Sequence, residues 1–147
     1  MSRPPMFPKK RLPQKPIAMS RKFKRLSYID IELSKIIPFC SGFGERGVDG
    51  QYHVLYEVLE RETDKNYIGI HSSDFDDCRY IGSGTELKKA IKQIGRHNFT
   101  RYNLAYFEHR QHLVMAEGLL VNSWFVKQKT NYNVSIGSRK RHFKELI

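Results

Sequence analysis

Apolar positions recur along the chain in two rhythms, and the switches between them predict the elements. Leu26, Ile29, Leu33, Ile36 and Ile37 follow helical spacing and stop before Pro38, which predicts a short helix within residues 26–39. Ser41 to Gly50 contains four glycines and reads as a loop or linker. His53 to Leu59 and Asn66 to Ile70 are rich in strand formers, and the polar Glu60 to Lys65 between them suits a hairpin connection. A third strand is expected from Arg101 to Phe107, with Tyr102, Leu104 and Tyr106 alternating with Asn103, Ala105 and Phe107. Ser83-Gly84-Thr85-Glu86 has the form of a capping box. It opens a helix with Leu87, Ala90, Ile91 and Ile94 on one face and Gly95 to close it. A last helix, about His112 to Val126, carries an apolar stripe of Leu113, Ala116, Leu120 and Trp124.

Strands and helices mixed in this order predict an α+β unit. The length of 147 residues suits one domain, and 39% hydrophobic with 12% aromatic residues can build a core, which argues against a wholly disordered chain. No apolar run approaches the roughly 20 residues of a membrane span, so a membrane protein is not expected. The basic N-terminus is followed by prolines and not by an apolar stretch with a small-residue cleavage site, unlike a secretory signal. Cys40 and Cys78 are too few for a disulfide framework and lack zinc-ligand spacing. A reducing, intracellular and cytoplasmic setting is the expectation.

Charge divides the chain further. The net charge is +11, and residues 1–25 hold nine basic residues and no acid. Residues 26–52 carry two basic and four acidic groups, residues 53–137 eleven and ten, and residues 138–147 four and one. Five of the six prolines (Pro4, Pro5, Pro8, Pro13, Pro16) fall in the first 16 residues, which disfavours helix and central strand. The organisation expected is therefore a basic, Pro-rich disordered arm (1–25), a short helix and Gly-rich linker (26–52), a near-neutral folded body (53–137) and a basic tail (138–147). The arm reads either as a solubilising tail or as a phosphate-binding segment whose Lys and Arg side chains release counterions from nucleic acid. Nucleic acid is favoured, and Arg139, Lys140 and Arg141 can add to it.

Glu117 falls inside the apolar stripe of the last helix, where a carboxylate must be desolvated, paired or bound to a metal. A salt bridge to a neighbouring arginine, or a position at the stripe's edge reaching water, accounts for it equally well on periodicity alone.

Leu55-Tyr56, then Tyr67-Ile68-Gly69 eleven residues on, a helix, a third strand, a helix with Glu117 and a closing Tyr132-Asn133 together resemble the GIY-YIG nuclease domain. Tyr67-Ile68-Gly69-Ile70-His71, Tyr80-Ile81-Gly82-Ser83-Gly84, Leu87 to Gly95 and Asn98-Phe99 are similar to its phage-type homing endonuclease branch. The resemblance covers residues 53–137, and the first motif departs from the family by reading Val54-Leu55-Tyr56.

What it implies is a small three-stranded antiparallel sheet flanked by helices, and hydrolysis of a DNA phosphodiester with one divalent cation, Mg²⁺ or Mn²⁺. Glu117 would be the metal ligand, Tyr56 the base that takes the water's proton, and Tyr67 the group that orients water or phosphate. His71 would donate to the phosphate or share the base role. Arg79 would clamp phosphate oxygens, with Lys88 and Lys89 as the other candidate cations for a position the family fills with a helix arginine. Asn133 would fix the backbone around the metal site.

Each residue has a plainer reading: the tyrosines as sheet aromatics, His71 as a loop histidine, Asn133 as a turn asparagine. For the whole, the alternative to a double-strand DNA endonuclease is a catalytically inactive nucleic-acid-binding or structural protein of the same fold. A nuclease acting on RNA or branched DNA is a third. The chain shows neither zinc-finger spacing nor a clear helix-turn-helix, so specificity is expected to be weak or to come from a homodimer or a partner protein.

Overall fold

The computed structural model describes residues 28–76 and 79–137. The basic arm and the tail with Arg139, Lys140 and Arg141 lie outside the described residues, as do Asp77 and Cys78. Helix α1 (residues 28–34) leads through a 3-10 turn (Ile37–Phe39) to β1 (Tyr52–Glu60) and β2 (Asn66–Ser73). Helix α2 (Thr85–Ile94) and a second 3-10 turn (Arg96–Asn98) precede β3 (Phe99–Phe107), then α3 (Arg110–Leu120) and α4 (Ser123–Lys127). The sheet is antiparallel with order β2-β1-β3, so the expected α+β fold with a three-stranded antiparallel sheet flanked by helices is the fold observed.

Central β1 is buried on both faces, because successive side chains of a strand point to opposite sides and helices cover both. Val54, Tyr56 and Val58 pack with Leu87 and Ala90 of α2, with Ile81, Phe99 and Tyr132 around them. Leu55 packs on the other side with Ile68, Ala105, Phe107, Leu113, Ala116, Leu120 and Phe125. The hairpin between β1 and β2 is tied by Glu60, whose carboxylate accepts the backbone N–H groups of Glu62 (2.9 Å) and Thr63 (3.2 Å) and the Thr63 hydroxyl.

Four local expectations need correction. The first helix covers residues 28–34 within the described part, and Pro38 sits inside the following 3-10 turn, at a first-turn position whose N–H needs no partner. The capping box does not form: Gly84 is the N-cap of α2, without a side-chain cap bond, and Glu86 pairs with Lys89 at 3.4 Å. The last helix breaks at Val121–Asn122, where the Asn122 side-chain oxygen accepts the Phe125 N–H (2.9 Å) and starts α4 afresh. The break rotates Trp124 outward to 54% exposure and puts Phe125 in the core instead.

The fourth correction concerns β3. Its register against β1 shifts between Leu55 and Tyr56, from Leu55 opposite Ala105 to Tyr56 opposite Asn103. This bulge inserts one unpaired residue, so simple alternation fails across it. Arg101 and Asn103 consequently share the Tyr56 face with Tyr106, which even spacing assigns to the other side.

Candidate active site

The pairing of β1 with β2 sets Tyr56 opposite Gly69, Val58 opposite Tyr67 and Val54 opposite His71. Tyr56, Tyr67 and His71 therefore project on one face. The two phenol rings have centroids 6.4 Å apart. Tyr80 meets Tyr56 edge-on at 6.3 Å and stacks on His71 at 4.1 Å. Glycines make the room: a Cβ on Gly69 would overlap the Tyr56 hydroxyl, and one on Gly82 would lie 2.8 Å from the Tyr67 ring. Gly82 also holds φ at +115°, a backbone that side chains rarely adopt. The Tyr-Ile-Gly and Gly-Ser-Gly stretches are thus the walls and floor of a tyrosine pocket.

Asn133 fixes the outer edge of β2. Its side-chain oxygen accepts the Ile68 N–H (3.0 Å) and its amide donates to the Ile68 carbonyl (2.9 Å), imitating a neighbouring strand at the residue between Tyr67 and Gly69. The flanking chain does the same with its backbone, since Tyr132 N donates to Asn66 O (2.7 Å) and Asn66 N to Thr130 O (3.1 Å). Asn133 is itself buried.

Glu117 lies on α3, which packs along β2, the sheet's edge strand, and β1, and its charge acts on both Tyr56 and Tyr67. Burial pushes its carboxyl above the usual range, and the nearby Arg110 charge pulls it back. Burial likewise raises the Tyr56 hydroxyl, followed by Tyr67, Tyr80 and Glu117, while Arg101 opposes the rise. Tyr67 is raised by burial first and Glu117 next. Three groups that become anionic on losing a proton thus share one poorly solvated spot, and ionising them together is costly unless a cation is present.

Among the described residues no group of three or more His, Cys, Asp or Glu side chains could hold a metal ion. A divalent cation here would take Glu117 as its protein ligand and complete its shell with water and phosphate oxygens, a composition that suits Mg²⁺.

The expected cations disperse. Arg79 is exposed in the loop before Tyr80, and Lys88 is exposed on α2. Lys89 pairs with Glu86 and lines a separate groove of about 390 Å³ with Lys65, Gln93 and Tyr132. The guanidinium against Tyr56 belongs to Arg101, 4.2 Å above the ring. It donates to the Tyr80 carbonyl (2.6 Å) and to Asn103 Oδ1 (2.8 Å), while Asn103 donates to Tyr106, whose hydroxyl donates to Asp76 (2.6 Å). Arg101 was hidden by the β3 bulge, and no motif marks it. Arg110 was missed as well, because it is neither in a motif nor near the tyrosines in sequence.

Three relatives from Enterobacteria phage T4 match about three-fifths of the chain. It is 37% identical over 89 residues to a protein named "Putative endonuclease segC", covering 60% of this chain and 45% of that one. It is 37% identical over 87 residues to "Putative endonuclease segD" (59% and 39%) and 32% identical over 93 residues to "Endonuclease segA" (63% and 42%). The chain spans about two-fifths of the length of these curated relatives. No family model and no solved structure matches it.

Proposed function

We propose that residues 53–137 form the hydrolytic unit of a metal-dependent DNA endonuclease of the GIY-YIG kind, akin to phage homing enzymes. The observation that carries this reading is the pair Tyr56 and Tyr67 side by side on one face of β1 and β2, with Glu117 close enough for its charge to raise both hydroxyls. A sheet packed for stability alone has no use for that arrangement, and similarity to phage endonucleases supports the reading.

A bound Mg²⁺ or Mn²⁺ would supply positive charge to the scissile phosphate and acidity to a coordinated water. Glu117 would hold that ion. Tyr56 Oη, as the phenolate that this ion and Arg101 above the ring would favour against the raising effect of burial, would receive the proton of the attacking water. Tyr67 Oη would orient the water or a phosphate oxygen. His71, stacked on Tyr80, would donate to the phosphate. Asn133 would keep Tyr67 and Gly69 in register through Ile68. Arg79, Lys88 and Lys89 remain candidates for contacts along the duplex. Gly137 packs against the Glu117 backbone, and Arg139, Lys140 and Arg141 follow it within four residues as phosphate-binding groups.

Supercoiled plasmid incubated with the protein and Mg²⁺ should be nicked or linearised, and EDTA should stop the reaction. Intact plasmid under both conditions at micromolar protein would refute the assignment.

A further inference from the structure

Arg110 is the first residue of α3, seven residues before Glu117. Two helical turns, about 10 Å of axis, put both on one side of the helix. The Arg110 charge favours ionised Glu117, as expected of two residues on the same flank of one helix. Yet α3 has no acid in its first turn, and a cation at a helix N-terminus opposes the macrodipole. Helix stability does not explain it.

What holds Arg110 is a strut on the sheet face that α3 covers, the face opposite to Tyr56, Tyr67 and His71. Its Nη1 donates to Ser72 Oγ at 2.7 Å. Ser72 lies 2.7 Å from His53 Nδ1, and His53 Nε2 lies 2.9 and 3.1 Å from the two carboxylate oxygens of Asp49. The hydrogen bonds are consistent in one direction: Nε2–H donates to Asp49, the Ser72 hydroxyl donates to Nδ1, and a Ser72 lone pair accepts from Arg110. His53 is fully buried. Asp49, exposed, is kept ionised by the Gln51 N–H first and His53 second. Tying down a long side chain costs rotamer entropy, and here a buried histidine is committed to doing so while the guanidinium itself stays exposed.

We propose that Arg110 is a phosphodiester-binding residue, its exposed guanidinium taking the non-bridging oxygens of the backbone phosphate that lies beside Glu117. Asp49, His53 and Ser72 are positioning residues for it. This rests on the reading of the site as a nuclease. The forked guanidinium suits paired phosphate oxygens, which an ammonium meets only as a point charge. The partially unsatisfied N-terminal amides of α3 add positive potential at the same place.

The test uses the full-length protein and its Arg110→Gln, Arg110→Lys and Ser72→Ala variants. Duplex binding is measured against salt in EDTA, and single-turnover cleavage at saturating Mg²⁺. Arg110→Gln should lower the log-log salt slope by about 0.9 and slow cleavage at least tenfold. Arg110→Lys should keep the slope but cleave several-fold slower, and Ser72→Ala should fall between Lys and parent. An active parent whose Arg110→Gln variant keeps both slope and rate overturns the inference alone. So does a Gln variant with the parental slope whose rate returns fully as Mg²⁺ is raised, since Arg110 would then act only on Glu117. A parent that neither binds nor cuts duplex DNA overturns the nuclease reading and the inference with it.

Discussion

Replacing Asn133 by alanine isolates the residue that stands in for a fourth strand. The side chain makes two hydrogen bonds to Ile68, at 3.0 and 2.9 Å, with donor and acceptor both on the buried edge of β2. Alanine leaves the Ile68 N–H and C=O without these partners. A buried polar group left unsatisfied costs about 1–3 kcal/mol, so the two together span about 2–6 kcal/mol. The lower part of that range applies, because β2 is an edge strand that water can reach once the amide is gone. About 2–3 kcal/mol is expected, which for a domain of this size lowers Tm by roughly 4–12 °C. Urea unfolding followed by circular dichroism measures it, the shift appearing in the midpoint at constant slope. Val134→Ala is the control: Val134 is 57% exposed, and such surface changes stay within about 0.5 kcal/mol. If Asn133→Ala matches that control, the side chain does not hold β2, and the argument that it keeps Tyr67 and Gly69 in register is wrong.

Other expectations follow from the same geometry. Glu117→Ala should abolish cleavage, leave duplex binding within a few-fold of the parent, and leave stability unchanged or higher, as read by plasmid cleavage, a binding titration and thermal unfolding. Because the Glu117 carboxyl is raised in the folded state, the native protein binds its proton more readily than the unfolded chain. The contribution of Glu117 to stability should therefore be greatest below the ordinary glutamate range and be lost as pH rises through the raised value; the difference in urea midpoint between Glu117→Gln and the parent, measured from pH 4 to 7, should change in that sense. Gly69→Ala should lose both stability and activity, since its Cβ has no room beside the Tyr56 hydroxyl; a variant as stable as the parent contradicts the pocket's geometry. Deleting residues 1–25 should reduce the salt slope of DNA binding by about 0.9 for each phosphate that no longer meets a cation of the arm, while Mg²⁺-dependent cleavage persists at low salt; an unchanged slope makes the arm a solubilising tail.

Much of the fold was legible because its signals are local. The β1–β2 hairpin, α2 and the closing Gly95 follow from strand formers, a polar connection and helical spacing within windows of about ten residues. The tyrosines and Glu117 were legible only as members of an ordered motif set, since periodicity treats them as sheet aromatics and an oddity in a stripe. The misses share a different cause. Arg101 faces Tyr56 because a bulge in β3 shifts the alternation by one residue, and nothing in Phe99 to Phe107 announces a bulge. Trp124 left the core because Asn122 caps a new helix, a choice between two hydrogen-bonding patterns that composition does not decide. Arg110 and Ser72 are 38 residues apart, and only the tertiary fold brings them together.

The central claim is that Tyr56 and Glu117 serve one reaction. A double-mutant cycle on single-turnover plasmid cleavage at saturating Mg²⁺, with Tyr56→Phe, Glu117→Gln and the pair, tests it most directly. Groups that act as a unit are strongly non-additive. Each single variant should lose about three orders of magnitude or more, a loss of roughly 4 kcal/mol in transition-state stabilisation, and the pair should be no worse than the poorer single. Cleavage at the parental rate by either variant, or losses that multiply in the pair, would contradict it.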